Sequence, residues 1–135
     1  MKFKFLEHTA DIKFQAFGKS LNEVFENSSL AMFNAMYEGK IKSKKKLKIS
    51  VKGKDSESLL YNFLEEFLIL FDTKGFFLAK AKAKINESKK TLNAEVFGDD
   101  AKNYGIHVDV KAITYSEMFV KKIKGKWVSQ VVLDV

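Results

Sequence analysis

The chain has 135 residues, a length typical of one domain folded around one hydrophobic core. Hydrophobic residues make up 46% of it and charged residues 30%. No apolar run approaches the roughly 20 residues that span a bilayer, which argues against membrane insertion. Cysteine is absent, which excludes disulfides, cysteine-based zinc sites and thiol catalysis. Any metal must therefore be bound mainly by oxygen.

The charge of the chain predicts a basic surface. All 24 basic residues are lysine and 17 residues are acidic, which gives a formal net charge of +7. This charge permits binding to RNA, DNA or an acidic protein surface. Because arginine, the usual reader of guanine edges, is absent, sequence-specific DNA recognition is disfavoured. The first residues lack the continuous apolar stretch of a signal peptide, so we expect a cytoplasmic protein.

The first half of the chain predicts three strands and two helices. Residues 2–5 and 12–17 alternate apolar and polar positions, a pattern typical of strands with one face on a core. Ser20 and Glu23 then form a capping-box pattern, and apolar residues at helical spacing continue to Gly39. A third strand is predicted at 47–51. After Asp55, a suitable N-cap, a wide apolar stripe predicts a second helix that ends before Gly75.

The second half of the chain predicts strands only. They cover 76–85, 92–96, 106–112, 117–123 and 127–133, and the last two are joined by a tight turn at Lys124 and Gly125. Most neighbouring strands have no helix between them, so the sheets should be largely antiparallel. No exact repeat and no low-complexity linker divides the chain. These features predict a single α+β domain over residues 1–135, with two helices packed on largely antiparallel sheets.

Motifs of common enzymes are missing. The chain has no Walker A glycine loop, no dinucleotide-binding glycine motif, no zinc-protease histidine pair and no nucleophile elbow. It has only two histidines, His8 and His107, and nothing in the pattern brings either into a Ser-His-Asp triad. The sequence therefore disfavours an enzyme.

Lysines are concentrated in two segments. Eight lie between residues 40 and 54, and three more, at 80, 82 and 84, alternate with alanine. Lysine faces of this kind track phosphates, but they also protect exposed strand edges from aggregation, and the second interpretation is the simpler one. No aromatic residue interleaves with either segment, so specific binding of single strands is not favoured.

Carboxylates at the end of the chain suggest a metal site. Asp134 lies beside the α-carboxylate of Val135 after an apolar strand, and two such groups repel each other unless a cation or basic group lies between them. Asp11, in the turn between the first two predicted strands, would add a third oxygen donor. Three hard oxygen donors suit Ca²⁺ or Mg²⁺. On composition alone a solvated terminus is the simpler interpretation.

Five separated motifs follow one another along the chain. They are His8-Thr9-Ala10-Asp11-Ile12, Ala16-Phe17-Gly18, Leu59-Leu60, Lys111-Ala112-Ile113-Thr114-Tyr115 and Asp134-Val135. In this order they resemble the archease family over nearly the whole chain. One departure is Ser116, at a position where many archaeal members carry histidine.

The resemblance implies a fold, a function and a site. The fold consists of strand-helix-strand-strand modules, one inserted in the other. The function is activation of a GTP-dependent RtcB-type tRNA-splicing ligase, by promoting its guanylylation and multiple turnover, with tRNA reached only through the ligase and without a DNA or membrane partner. The family's metal ligands correspond to Asp11, Asp134 and Val135, with Ca²⁺ as the expected ion. His8 and Lys111 are expected at the partner interface, where Lys111 would reach the ligase or its nucleotide.

Two other classes of function remain open at this point. One is a basic module that binds RNA or tRNA directly, and the other is a small hydrolase whose oxygen-ligated metal activates water. A direct RNA binder should show an affinity that falls steeply with salt in the absence of any protein partner. A hydrolase should turn over its substrate alone.

Overall fold

The structure, a computed structural model, describes residues 1–135 and contains two long helices and seven strands. In chain order the elements are β1 (Phe3–Leu6), β2 (Ile12–Gly18), α1 (Leu21–Met36), β3 (Lys45–Lys52), α2 (Ser56–Lys74), β4 (Phe76–Asn86), β5 (Thr91–Asp100), β6 (Ala112–Ile123) and β7 (Lys126–Asp134). A short 3₁₀ turn at Ala101–Asn103 follows β5. Both predicted helices are confirmed. Neither of them is long and apolar enough to cross a membrane.

The strands form two antiparallel sheets. Sheet A has the order β1-β2-β7-β6 and sheet B the order β3-β5-β4, and every neighbouring pair is antiparallel. The unit β3-α2-β4-β5 is inserted in the chain between α1 and β6, so that each sheet is built on its own strand-helix-strand-strand unit. The predicted α+β architecture is confirmed.

The helix boundaries follow from capping side chains. At the start of α2, the Asp55 carboxylate accepts a hydrogen bond from the Ser58 amide at 2.8 Å, and the Ser58 hydroxyl accepts one from the Asp55 amide at 3.1 Å. At its end, Gly75 adopts the left-handed conformation, with φ 62°, that glycine tolerates best. In α1 the Ser20 hydroxyl accepts from the Glu23 amide at 3.1 Å.

One hydrophobic core of 30 buried residues joins the two sheets through the helices. Helix α1 packs on β2 and β7 of sheet A and on β4 of sheet B, while α2 packs on β6 of sheet A and on all three strands of sheet B. Phe33 lies at the centre, with its ring edge-on to Phe67 and Phe77 at centroid distances of 5.8 and 5.0 Å. Each sheet therefore turns one face to the core.

Helix α1 also closes one edge of sheet B. The Ala83 amide of β4 donates to the Glu26 carboxylate at 2.7 Å, and the Ile85 amide donates to the Asn22 side-chain oxygen at 3.0 Å. Burial raises the pKa of Glu26 above its usual value, partly opposed by the hydrogen bond from Ala83. These contacts satisfy backbone donors that an open edge strand would present to another chain.

One predicted strand is wrong. Residues 106–111, predicted as most of a separate strand, have no regular secondary structure, and the segment predicted at 117–123 is the second half of a longer strand, β6. The alternation of apolar residues at 106, 108 and 110 comes from an extended connection whose Val110 packs into the core. Within β6 the pairing with β7 shifts by three residues between Thr114 and Phe119, a large bulge that periodicity does not show.

Candidate functional site

The candidate site lies where three strands of sheet A meet. Strand β7 ends at Asp134, beside the start of β2 on one side and the start of β6 on the other. The last β2–β7 pair is Ile12 with Leu133, so the next residues outward, Asp11 and Asp134, face each other across the two strands. On the other side, the Lys111 amide donates to the Asp134 carbonyl at 2.8 Å. The pairing of β2 with β7 therefore brings Asp11 close to Asp134 in the fold, although they are more than 120 positions apart in the sequence.

Strand alternation sets the direction of the two carboxylates. Phe14 and Leu133 belong to the core, so Lys13 and Val132, and with them Asp11 and Asp134, belong to the outer face of sheet A. Like charges placed directly opposite each other on neighbouring strands destabilise a sheet. Asp134 forms no ion pair with any lysine or histidine.

Glu117 reaches this site through the bulge in β6. It adopts a left-handed backbone conformation, with φ 54°, that is uncommon for a residue other than glycine. Its carboxylate lies 2.9 Å from the Nε2 of His8 and accepts a hydrogen bond from the Lys13 ammonium at 3.0 Å. Hydrogen bonds from Lys13 and from His8 hold the pKa of Glu117 below its usual value. The bulge thus carries an acid across β7 to residues on and beside β2.

His8 connects Glu117 with Asp11. An ionised carboxylate can only accept hydrogen bonds, so the Nε2 of His8 carries the proton that faces Glu117. The other ring nitrogen, Nδ1, is buried without a hydrogen-bond partner and lies 3.7 Å from the Oδ2 of Asp11. The His8 side chain is 23% exposed. Most buried polar atoms in proteins have a hydrogen-bond partner, so this nitrogen is an exception.

A second layer of side chains fixes the bulge. The Gln130 amide donates to the Glu117 carbonyl at 2.8 Å, and the Gln15 amide donates to the Gln130 side-chain oxygen at 2.9 Å. Both glutamines lie on the outer face of sheet A, directly opposite each other on β2 and β7. The position of Glu117 is therefore set by neighbouring strands as well as by its own.

The structure brings the residues predicted for the site to one end of sheet A. Asp11 and Asp134 face each other, Val135 follows Asp134, His8 lies beside Asp11, and Lys111 is exposed next to the Asp134 backbone. No group of three or more histidine, aspartate and glutamate side chains is arranged to hold a metal ion. Sequence reasoning missed Glu117 and Lys13, because no local pattern predicts the bulge in β6 that brings Glu117 to Lys13.

Sheet B carries a different feature, which we call the lysine face. It is the outer face of sheet B, and its charged residues are six lysines and one glutamate: Lys46, Lys48, Lys52, Lys80, Lys82, Lys84 and Glu95. Phe97 lies in the central strand among them, half-buried, with the Lys80 ammonium 4.8 Å from its ring centroid. The expectation that no aromatic residue lies among the lysines is therefore wrong for the folded protein. No aromatic residue lies between the lysines along the chain, but β5 lies between β3 and β4 in the sheet and places Phe97 among them.

Comparison with known proteins identifies relatives over the whole chain. The model of the "Archease protein family (MTH1598/TM1083)" matches residues 3–135. A protein from Pyrococcus abyssi named protein archease is 37% identical over 140 residues, which cover 99% of each chain. The solution structure of protein 1598 from Methanobacterium thermoautotrophicum superposes with a TM-score of 0.87 at 33% identity, covering 99% of both chains.

A more distant structure agrees in fold. A Thermotoga maritima crystal structure, described as an archease and possible chaperone, matches with a TM-score of 0.66 at 18% identity, covering 98% of this chain and 96% of the other. The family model extends over the strand ends that form the candidate site. The chain therefore belongs to the archease family.

Proposed function

We propose that the protein activates a GTP-dependent RtcB-type RNA ligase, by promoting guanylylation of the ligase and so its multiple turnover. Membership of the archease family supports this proposal. The observation that carries it is the convergence of Asp11, Asp134 and Lys111, three residues of the family's motifs, at one exposed end of sheet A. The ligase is the partner, tRNA is reached through it, and the cytoplasm remains the expected location.

A divalent cation, expected to be Ca²⁺, belongs to this proposal. Asp11 and Asp134 supply two carboxylates, and a backbone oxygen of Val135 supplies the third donor, since the side chains alone do not form a group of three. The residues fit such an ion in their chemistry, because hard cations prefer oxygen ligands. Their placement supports it also, because Asp11 and Asp134 lie at the adjoining ends of β2 and β7 and Asp134 has no basic partner, so that a cation bound between the two carboxylates would be stabilised by both. The ion would supply that charge and fix the ends of β2 and β7.

His8, Lys13 and Glu117 act as positioning residues. The proton on the Nε2 of His8 is held by Glu117, which leaves the unpaired Nδ1 directed at the Asp11 side of the ring. Lys13 balances the charge of Glu117 at 3.0 Å. Glu117 and Lys13 thus fix the orientation of the His8 ring, which lies beside Asp11. His8 thereby contributes to the partner surface indirectly.

Lys111 presents its charge to a partner. Its backbone is fixed by the hydrogen bond to the Asp134 carbonyl, while its side chain is exposed and forms no ion pair. A lysine held beside a carboxylate pair suits contact with an acidic group of the ligase or with a nucleotide phosphate. We propose that it acts on the partner, so that the protein itself is not an enzyme.

The proposal is tested by measuring RNA joining with a RtcB-type ligase, GTP and divalent metal. Sub-stoichiometric protein should convert a single-turnover ligase into a multiple-turnover one, and the protein alone should neither join nor cleave RNA. Lys111→Gln should reduce the stimulation, whereas Lys74→Gln, which changes an exposed lysine at the end of α2, should not. Stimulation that is absent with the wild-type protein contradicts the proposal. RNA cleavage by the protein alone would favour the hydrolase.

A further inference from the structure

We propose that the lysine face binds a segment of single-stranded RNA, with Phe97 stacking on a base and lysines of β3 and β4 contacting phosphates. This inference concerns a second surface, remote from the Asp11–Asp134 site in the fold. It adds a direct contact with RNA to a protein whose proposed partner is a ligase.

The lysines are arranged in rows across three strands. Lys80, Phe97 and Lys46 form one row, and Lys82, Glu95 and Lys48 form the next. Strands are about 4.8 Å apart, so two lysines of one row lie about 10 Å apart with a central-strand residue between them. Six lysines against one glutamate give this face a net charge of +5, most of the +7 of the whole chain. A polyanion is the complementary ligand.

Phe97 is the feature that distinguishes this face from an ordinary solvated one. Lys46, Lys80 and Lys82 hold their ammonium groups 4.8 to 5.8 Å from the centroid of its ring. Cations this close to a ring lie over its face, so the face of Phe97 is turned toward solvent and not toward the core. A half-buried aromatic ring on the outer face of a sheet, flanked by cations, is the kind of arrangement with which sheet proteins stack bases and contact the adjoining phosphates.

The surface favours a nucleic acid over an acidic protein. Phe97 is its only large apolar side chain, whereas a protein interface needs a core of apolar and aromatic residues. Recognition by strand addition at β4 is blocked, because the Glu26 and Asn22 side chains already accept hydrogen bonds from that edge. A shallow groove of about 370 Å³ runs over the face and is lined by residues that include Lys48, Lys82 and Asn93.

The choice of RNA over DNA rests on the proposed function, because the proposed partner ligase joins RNA. The lysines and Phe97 themselves recognise phosphates and bases, which both polymers share. The binding experiment uses the protein without any ligase, so its result does not depend on whether the protein activates a ligase.

The test is fluorescence anisotropy with a labelled oligouridine RNA of about 12 nucleotides, a length within the usual site size of single-strand binders. Phe97→Leu keeps an apolar side chain but removes the flat ring, and it should weaken binding roughly tenfold. Lys82→Gln combined with Lys84→Gln should lower the steepness of log affinity against log salt by about 1.4. The matched control combines Lys122→Gln and Lys126→Gln, which remove two exposed lysines from the β6–β7 hairpin and should leave affinity and salt dependence unchanged.

A gain of binding provides a further test. Glu95→Gln removes the only carboxylate of the lysine face and releases Lys46, whose ammonium lies 2.8 Å from it, so this variant should bind RNA more tightly. Polyglutamate serves as the competing acidic probe. The proposal is overturned if polyglutamate binds as tightly as RNA, or if the Lys82 and Lys84 variant behaves like the hairpin control. It is also overturned if Phe97→Leu binds RNA as the wild type does while remaining folded by circular dichroism.

Discussion

The outer faces of the two sheets carry charge in opposite ways. On sheet A, acidic and basic side chains pair with one another: Glu117 contacts both His8 and Lys13 within 3.0 Å, and His8 lies beside Asp11. On sheet B, the lysine face has six lysines and a single glutamate. Charge that is paired inside the molecule positions groups, while charge left in excess attracts a partner. These arrangements are the reason that we propose an ion on the first face and a polyanion on the second.

The two sheets also differ in how regular their strand pairing is. Sheet B has one register shift, in β4 between Leu78 and Lys80, and is regular from Lys80 onward, so the side chains of the lysine rows line up by simple alternation. Sheet A is interrupted by a three-residue bulge in β6 that places Glu117 in a left-handed conformation. Uncommon backbone conformations of this kind are concentrated at functional sites. The irregular face is the one that we connect with ligase activation.

The largest expected effect concerns the carboxylates of sheet A. Asp11→Asn and Asp134→Asn should each lower Ca²⁺ affinity by at least about 100-fold, since even indirect partners of metal ligands contribute 10- to 100-fold. Isothermal titration calorimetry measures this directly. Glu95→Gln, which removes a carboxylate of the lysine face, is the matched control and should bind Ca²⁺ as the wild type does. If Asp134→Asn also binds the ion normally, the metal site is misassigned.

A crossed pair of variants tests whether the two faces are independent. Lys82→Gln combined with Lys84→Gln should leave Ca²⁺ affinity within about twofold of wild type, because distant sites without shared partners behave additively. Asp134→Asn should likewise leave RNA affinity within about twofold. Calorimetry and anisotropy on the same preparations provide both numbers. A variant of one face that abolishes the function of the other would show that they form a single surface.

A smaller effect is expected from the positioning network. Glu117→Gln keeps the size of the side chain but removes the charge that holds His8 and Lys13, and it should weaken Ca²⁺ binding about tenfold. Glu65→Gln, at an exposed position of α2, should have no effect. Thermal unfolding of both variants should stay close to wild type, because exposed ion pairs contribute little to stability. Unchanged metal affinity in Glu117→Gln would limit Glu117 to a structural role.

The smallest effect concerns acid stability. Hydrogen bonds from basic side chains hold the pKa values of Glu117 and Glu95 below the usual value, from Lys13 and His8 for Glu117 and from Lys46 for Glu95. A depressed folded-state pKa gives stability that is present above the unfolded value, about 4.3, and lost as the pH falls through the lower folded value. The urea midpoint of the wild type should therefore decline as the pH falls below about 4.3. Glu117→Gln and Glu95→Gln should each show a shallower decline, and an unchanged slope in both would contradict these contacts.

Local patterns predicted most of the fold, because helix caps and strand alternation depend mainly on residues that are neighbours in the sequence. The Asp55 and Ser58 cap fixes the start of α2, Gly75 fixes its end, and alternation identifies β2 and β7. The strand expected at 106–112 was wrong because an extended connection that buries Val110 has the same alternation as a strand. Only hydrogen bonding to a neighbour distinguishes the two, and that depends on residues elsewhere in the chain.

The candidate site was predicted in part, for a related reason. Asp11 and Asp134 stood out as oxygen donors and as family motif residues, but Glu117 contacts His8 from 109 positions away through a bulge that has no signature in the sequence. Phe97 was missed because its lysine neighbours come from β3 and β4, and the order β3-β5-β4 cannot be read from the order of the segments. The alternation of β5 does place Phe97 opposite the core residue Val96, and this signal was available.

The most direct test of the central claim is the rate at which a RtcB-type ligase becomes guanylylated from labelled GTP. We expect the wild-type protein, added below the ligase concentration, to accelerate formation of the guanylylated ligase, and Asp134→Asn to abolish the acceleration. The Lys82 and Lys84 variant should accelerate it as the wild type does, because we propose that the lysine face contacts RNA and not the ligase. Acceleration by Asp134→Asn equal to that of the wild type, with loss of acceleration in the lysine variant, would contradict the account and assign the function to the lysine face.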